Sequence, residues 1–210
     1  GIENKVNFYG IDIVAPNNGL EQIFNYLQKV DIQYYEQIKN KKFGRNIIED
    51  NQWQISQQRY SELSKEEKQI LLRNYNALFE HIKQNKENYI TKSSDNEYDW
   101  IFKLSYSANE ANKMFSEENR LQMGLIRENA MANITSWIKE RNKKIIIWAH
   151  NVHISKSEFT MSVMPENEIK GMGYILNQEL KDNMVSIGAS FNQGEFQDEN
   201  ITFEPAEPNT

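Results

Sequence analysis

The chain has 210 residues, with 24 lysine and arginine residues against 30 aspartate and glutamate residues, a formal net charge of −6, and no cysteine. The missing cysteines exclude disulfide frameworks, thiolate metal sites and a cysteine nucleophile, and an acidic chain without a basic cluster predicts no nucleic-acid partner. A mean hydropathy of −0.76 and no long apolar run exclude a membrane-spanning helix, so we expect a globular protein without a membrane partner.

The N-terminal part of the chain predicts a strand followed by a helix. Residues 6–14 are apolar and rich in β-formers, and a Pro- and Asn-Gly-containing turn follows them. Apolar positions over residues 20–30 repeat at helical spacing, and Asn18 with Glu21 predicts a capping box at the start of this helix. Residues 40–63 lack clear periodicity and predict a loop with one short helix.

The middle of the chain predicts three long helices. A Ser-x-x-Glu capping box at Ser64 opens a helix that ends near residue 85, and a second box at Ser94 opens a helix through residue 111. A third helix is predicted from about residue 117 to residue 141, where apolar residues recur on one side.

The period changes after the third helix. Residues 143–149 form a continuous apolar run dominated by isoleucine, which is typical of a strand covered on both faces. A loop through 164–166, a short helix over 172–182, a second buried strand over 184–189 and a short edge strand at 201–203 follow.

This order of elements predicts an α/β fold, with a mainly parallel sheet flanked by long helices and with a helical insertion. We expect a single α/β domain over residues 1–210. The chain opens at Gly1 without methionine or a targeting segment and passes almost directly into a strand. We therefore expect a piece cut from a longer protein, with other strands of its sheet outside this sequence.

The sharpest local signal is His150-Asn151-Val152-His153, directly after the apolar run. In an open parallel sheet, ligands bind outside the carboxyl ends of the strands, so both imidazoles are candidate catalytic groups for proton transfer. The alternative is that His150 and His153 are ordinary polar residues at a strand end. Without a Gly-x-Ser-x-Gly elbow or a phosphate-binding glycine loop, the sequence offers neither a serine nucleophile nor a nucleotide site.

A metal centre is the second interpretation of the histidine pair. His-x-x-His supplies two nitrogen ligands, whereas zinc needs a third and often a fourth. Asp12 could complete such a site, and His81 is predicted to lie on the solvated face of its helix. We expect neither a metal ion nor another cofactor.

Two charged residues lie in apolar surroundings. Arg127 shares a helix face with apolar residues, so it needs a carboxylate or an anionic ligand; Glu128 faces elsewhere, which leaves Asp12 or a residue outside the sequence. Asp12 in turn needs a partner if its strand is buried on both sides. The alternatives are an Arg127 side chain that snorkels to solvent and an Asp12 side chain at an exposed sheet edge.

Six segments occur in the order in which one known family has them. They are Gly-Ile-Asp-Ile at 10–13, Arg-Glu-Asn-Ala-Met-Ala at 127–132, Ile-Ile-Trp-Ala-His-Asn-Val-His at 146–153, Met-Gly-Tyr-Ile-Leu at 172–176, Val-Ser-Ile-Gly-Ala-Ser-Phe at 185–191 and Gly-Glu-Phe at 194–196. In these segments the sequence resembles the erythromycin esterase family. The resemblance runs over nearly the whole chain but over only about the C-terminal two-thirds of the family's domain.

The resemblance implies a hydrolase that uses water to cleave an ester or lactone, macrolides among them, without a covalent intermediate or a metal. His150 and His153 match histidines that line the family's cleft, and we expect Asp12 and Arg127 to serve there as substrate-binding residues. The family's general base is a histidine in an N-terminal Gly-Glu-x-x-His-Gly motif that this sequence lacks. The 210 residues alone are therefore expected to show no appreciable esterase activity.

The sequence departs from the family pattern at two positions. Glu128 stands where the family usually has aspartate, and Asn133 stands where it has an acidic residue. Two other functions stay open: a metal-dependent hydrolase that uses the His150 and His153 pair, and a non-catalytic binding protein on the same scaffold. We expect a small-molecule ester or lactone as the partner and a cytoplasmic location; the sequence sets no oligomeric state.

Overall fold

The computed structural model describes residues 6–14, 19–44, 53–161 and 164–189, and helices dominate these ranges. The α-helices are α1 Leu20–Val30, α2 Ile32–Ile38, α3 Trp53–Glu62, α4 Lys65–Gln84, α5 Lys86–Lys92, α6 Asp95–Ser116, α7 Arg120–Arg141, α8 Asn151–Ile154 and α9 Met172–Leu180. A 3₁₀ turn, Lys181–Asn183, follows α9. Two short strands, β1 Phe159–Met161 and β2 Met164–Ile169, pair as an antiparallel hairpin.

The long helices pack around α6, which contacts α1, α4 and α7. Their apolar stripes meet in one large core, whose fully buried members include Ile23, Leu27, Leu71, Tyr75, Leu78, Ile82, Tyr89 and Met114. A smaller cluster joins α7 to α9 through Met131, Ala132, Met172 and Leu176. Helix α7 therefore contacts the main core on one side and α9 on the other, and this position organises the candidate site.

The capping box predicted at Ser64 is confirmed, and the serine half of the box predicted at Ser94 is present. Ser64 Oγ accepts a hydrogen bond from Glu67 N at 3.2 Å, and the Glu67 carboxylate accepts one from Ser64 N at 3.0 Å, which completes the capping box. Ser94 Oγ accepts a hydrogen bond from Glu97 N, also at 3.2 Å. Both serines satisfy amide groups that the first helical turn leaves without an intrahelical partner.

The start of α1 differs from the prediction. Its N-cap is Gly19 at φ 84°, without a side-chain cap, whereas Asn18 lies outside the described residues. A positive φ favours glycine, and a Cβ at Gly19 would also come within 2.9 Å of the Leu104 side chain. The sequence pattern did not indicate Gly19 as the cap, because a side-chain pattern does not report backbone conformation or tertiary crowding.

The parallel sheet that the sequence predicts is not present among the described residues. Residues 6–14, 144–150 and 184–189 carry no assigned strand, and in the described part of the chain no main-chain hydrogen bond joins these three segments. The described pairing is instead β1 with β2, where Phe159 faces Ile169 and a loop was predicted at 164–166. The edge strand expected at 201–203 lies outside the described residues.

Residues 144–150 and 184–187 alternate between exposed and half-buried side chains as strands do, and we call 6–14, 144–150 and 184–189 the strand-like segments. Ile146 and Trp148 are 96% and 98% exposed, whereas Ile145 and Ile147, which alternate with them, pack on the cores. A groove separates 6–11 from 144–148. Apolar β-branched runs predict conformation and burial, but a ladder also needs a neighbouring strand within about 4.8 Å, and local sequence does not report that neighbour.

A half-buried polar cluster joins α1, α2, α4 and α5. Asp31 caps α2 by accepting from Tyr34 N at 3.1 Å, and its other oxygen lies 3.0 Å from His81 Nε2 and accepts from Tyr89 Oη at 2.7 Å. The His81 ring stacks on Tyr34 with 3.4 Å between centroids. His81 thus lies in a helix junction and not on a solvated face, which corrects the prediction.

We expect Asp31→Asn to lower the free energy of unfolding at pH 7 by roughly 1–3 kcal/mol, because the cluster loses its charge-assisted hydrogen bonds. Burial alone would raise the pKa of Asp31, but the hydrogen bonds from His81, Tyr89 and the Tyr34 amide hold that pKa below its usual 3.8. A lowered pKa gives stability that is present above pH 3.8 and is lost as the pH falls through the folded-state pKa.

Urea unfolding of wild type and variant from pH 7 down to pH 2 measures this difference, which should shrink below about pH 4. The exposed Asp95 in the first turn of α6 provides a matched control, since Asp95→Asn should change stability by less than about 1 kcal/mol, the size of a helix-dipole interaction. If the difference in the free energy of unfolding between wild type and variant stays constant down to pH 2, Asp31 has no ionic role in stability.

Candidate active site

The candidate site forms where α7, α8 and α9 meet, around the carboxylate of Glu128. This side chain is only 6% exposed. Its Oε1 lies 2.5 Å from His153 Nδ1, and its Oε2 accepts the main-chain N–H of Met172 at 2.7 Å. A buried carboxylate is costly unless its oxygens are paired, and Glu128 meets this requirement by joining His153 to the first residue of α9.

Two glycines let α9 come close enough to make this contact. A Cβ at Gly171 would lie 2.9 Å from Val152 O and 3.5 Å from Glu128 Oε2. A Cβ at Gly173 would lie 2.4 Å from the carbonyl carbon of Ile154. The two glycines of Gly-Met-Gly therefore allow α9 to pack closely on α8, because the end of α8 occupies the space that their side chains would need.

His150 occupies a different environment from His153. It is exposed and forms the N-cap of α8, where its Nδ1 faces Val152 N at 3.4 Å. The neighbouring Asn151 holds the third strand-like segment beside α8, since its amide donates to Ala189 O at 2.6 Å and accepts from Ala189 N at 3.2 Å. Both histidines thus lie on one turn, with His150 open to solvent and His153 anchored in the protein, 17% exposed.

The two environments favour opposite tautomers of the neutral imidazoles. His153 Nδ1 faces a carboxylate, so it carries the proton and leaves Nε2 as an acceptor. His150 Nδ1 faces a main-chain N–H, so it acts as the acceptor and leaves Nε2–H as a donor. The pair can therefore accept a proton at one ring and donate a hydrogen bond at the other.

Asp12 and Arg127 form a bidentate ion pair. Arg127 Nε donates to Asp12 Oδ1 at 2.9 Å and Nη2 donates to Oδ2 at 2.5 Å, and Ile13 N also donates to Oδ1 at 2.8 Å. The hydrogen bond to Asp12 is the main cause that raises the pKa of Arg127. Of the partners that the sequence left open for Arg127, the structure shows Asp12.

The structure thus brings Asp12 to Arg127, and it brings His153 to Glu128 on the next residue of α7. Sequence reasoning missed Glu128 as a site residue. A signal was available, because Glu128 lies three and four residues before the buried Met131 and Ala132 and so shares their apolar helix face. An acidic residue on such a face needs a specific partner.

Asn133, the second position at which the sequence departs from the family pattern, lies away from the site that Glu128 and the two histidines form. Asn133 is exposed and accepts a hydrogen bond from Lys103 Nζ at 2.8 Å. A groove of about 730 Å³ is lined by residues of 6–11 and 144–148, and neither histidine lines it. A hollow shared by the two imidazoles stays a prediction.

Within the described ranges, no group of three or more His, Asp or Glu side chains is arranged to hold a metal ion. No helix within those ranges combines the length and the apolar character that crossing a bilayer requires.

Three solved structures share the fold. A Bacillus cereus protein is 23% identical with a TM-score of 0.73, over 89% of this chain and 44% of its own. A succinoglycan biosynthesis protein is 20% identical with a TM-score of 0.65, over 89% of this chain and 43% of its own. A mutant of the erythromycin esterase EreC in its open conformation is 16% identical with a TM-score of 0.65, over 83% of this chain and 45% of its own. Our chain thus spans less than half of each neighbour.

The chain shares the fold of these three structures and is mostly helical in the part described. The family model for erythromycin esterase matches residues 2–209, and the chain belongs to that family. Among curated protein sequences, none matches the chain. Membership suggests a hydrolase of the family type.

Proposed function

We propose that this protein takes part in hydrolysis of an ester or lactone by water. In this proposal His153 orients the attacking water, and His150 donates a hydrogen bond to the carbonyl oxygen as it becomes negative. The observation that carries the proposal is the buried Glu128 bridge. It joins His153 Nδ1 to Met172 N, so the imidazole is held in one orientation and one tautomer. A histidine oriented by a carboxylate is a recurring element of hydrolytic sites.

The chemistry follows from the two tautomers. Water attacks the carbonyl carbon, and the carbonyl π pair moves onto oxygen; His153 Nε2 accepts a hydrogen bond from that water and orients it. His150 Nε2–H donates to the oxygen as it becomes negative. The water proton passes to the general base, which the family resemblance assigns to a histidine outside these 210 residues. Collapse of the intermediate breaks the ester C–O bond, and the leaving oxygen takes up the proton.

We assign Asp12 and Arg127 to substrate binding at the same cleft. Their charges neutralise each other, so the pair presents polar groups without a strong net charge. Such a pair suits a neutral ester or lactone better than a charged substrate. Macrolide lactones are one class of neutral substrate to assay beside simple esters.

We expect His150→Ala and His153→Ala each to lower kcat/KM for ester hydrolysis by at least about 10²-fold, because the first loses a donor to the developing oxyanion and the second loses the group that orients the water. The assay uses the protein from its complete reading frame, with p-nitrophenyl esters and a macrolide panel. His81→Ala is the matched control, because His81 lies in the helix junction with Asp31. Unchanged turnover in either site variant removes that histidine from the mechanism.

The rival functions give different results in the same experiment. Stoichiometric zinc or manganese, with loss of turnover on chelation, favours a metal-dependent hydrolase, in which Glu128 would orient a ligating His153. No turnover on any ester or lactone by the complete protein favours a binding protein. The 210 residues alone are expected to give no measurable hydrolysis.

A further inference from the structure

We propose that Lys103 of α6 is an acylation site, whose amine takes an acetyl group from a small activated donor in a pocket between α6 and α7. The donor is an acyl phosphate or a thioester. The pocket measures about 60 Å³, and neither Glu128 nor the histidines of the candidate active site line it. The acylation is therefore independent of the proposed hydrolysis.

The first support is the hydrogen bond that the lysine makes. Lys103 is half-buried, and its Nζ donates to Asn133 Oδ1 of α7 at 2.8 Å. Among the described residues, no carboxylate oxygen lies within 4.0 Å of this nitrogen, whereas Lys29, Lys42 and Lys113 each have one at 2.6–2.7 Å. A neutral amide oxygen stabilises an ammonium group less than a carboxylate does. Lys103 thus lacks the ionic partner that keeps those three lysines charged.

The second support is the apolar surroundings of the amine. Lys103 Nζ lies 5.0 Å from the ring centroid of Tyr106 and 5.8 Å from that of Trp137. The rings attract the ammonium, but they also displace the water that would solvate it. Burial lowers the pKa of Lys103, and the charge of Glu140 on α7 opposes this only in part. A lysine desolvated in this way is neutral more often, and the neutral amine is the nucleophile.

The charged groups nearest to Lys103 are already paired with other residues. Asp99, one turn earlier on α6, forms an ion pair with Arg141 and accepts a hydrogen bond from Trp137 Nε1 at 3.2 Å. Glu110, two turns later, lies 2.7 Å from a different lysine. The Arg141 guanidinium lies 4.3 Å from the Trp137 ring that Lys103 also faces, and a second cation does not favour the ammonium form.

The pocket gives a small reagent access to this amine. Trp100 and Tyr9, which line it together with Lys103, are 41% and 37% exposed. Since a cavity of about 10–15 Å³ already holds one water molecule, this pocket has room for a few waters or an acetyl group but not for a long acyl chain.

The reaction is a simple acyl transfer. The lone pair of Lys103 Nζ attacks the acyl carbon, and a C–N bond forms. The bond from that carbon to the phosphate oxygen or to the thioester sulfur breaks, and the leaving group takes the electron pair. The nitrogen loses its extra proton to water, and a neutral amide remains.

Acetylation of the protein from its complete reading frame tests the proposal. Acetyl phosphate and a small acetyl thioester are used separately at pH 8, and mass spectrometry gives the initial rate at each lysine. With at least one donor, we expect Lys103 to react at least about 10-fold faster than Lys86, an exposed lysine of α5, because a pKa lower by about one raises the neutral fraction tenfold. Its rate should also level off at a lower pH than that of Lys86. A Lys103 that reacts no faster than Lys86 with both donors overturns the proposal.

A substitution at the hydrogen-bond partner gives a second readout. Asn133→Asp places a carboxylate on Lys103 Nζ, which should raise the pKa of the lysine and slow its acetylation at pH 8 by at least about 10-fold. Asn88→Asp on α5 is the matched control, because Asn88 is exposed and the same change in charge there should leave the rate at Lys103 unchanged. Acetylation of Lys103 in Asn133→Asp at the wild-type rate would show that the neutral partner does not make the lysine reactive, and would also overturn the proposal.

Discussion

Glu128→Gln is expected to lower kcat/KM by about 10³-fold while the protein stays folded, because the change reverses the tautomer of His153. The Met172 N–H is a fixed donor and will keep the one amide oxygen of glutamine. The amide NH₂ must then face His153 Nδ1, which becomes an acceptor. The proton moves to Nε2, and that nitrogen can no longer accept a hydrogen bond from the attacking water.

Two measurements separate this account from loss of structure. Nitrogen-15 chemical shifts of the His153 ring should change from the Nδ1–H to the Nε2–H pattern, and that readout does not depend on the substrate. Glu179→Gln is the matched control on α9, because Glu179 is exposed and accepts only a surface hydrogen bond, from Ser136 Oγ, at 3.0 Å. Full turnover in Glu128→Gln with the tautomer reversed would show that His153 does not orient water.

Gly173→Ala is expected to destabilise the protein by about 3 kcal/mol or more, at or above the upper end of overpacking. The added Cβ would meet Ile154 C at 2.4 Å, Ile154 O at 2.5 Å and Ser155 O at 2.6 Å. These are main-chain atoms, so no rotamer change relieves the contact. Helices α8 and α9 must separate, and that motion pulls Met172 N away from Glu128.

Gly124→Ala is the opposite case on α7. A Cβ at Gly124 meets nothing within 4 Å, so alanine should stabilise the helix by roughly 0.5–1 kcal/mol. Urea unfolding of both variants beside wild type measures the two effects. A Gly173→Ala variant as stable as wild type would mean that the close approach of α9 to α8 is not needed by the fold.

Local physics accounts for what the sequence predicted well. Helices α4, α6 and α7 follow from apolar positions at a period of 3.6 residues and from polar caps such as Ser64 and Ser94, all of which act within one or two turns. The Gly19 start of α1 could not be predicted in this way, because it depends on backbone conformation and on Leu104 from another helix.

The candidate site, too, was predicted from the sequence only in part. The pattern of apolar run and His-x-x-His identified His150 and His153, and the isolated charges identified Asp12 and Arg127; their catalytic and binding roles stay proposals. Glu128 was passed over, since its partners lie 25 and 44 residues away in the chain. The predicted parallel sheet was missing from the described residues because pairing requires a neighbour that 6–11 and 144–148 do not find in each other.

By itself the sequence determined the helices, the apolar strand-like segments, the family and the chemical groups at hand, because periodicity, capping and side-chain chemistry act locally. Only the tertiary structure decided which groups meet. It placed the Glu128 carboxylate between His153 and α9, and it left Ile146 and Trp148 on an open face. Contacts between residues distant in the chain depend on how α7, α8 and α9 pack, and no local pattern encodes that geometry.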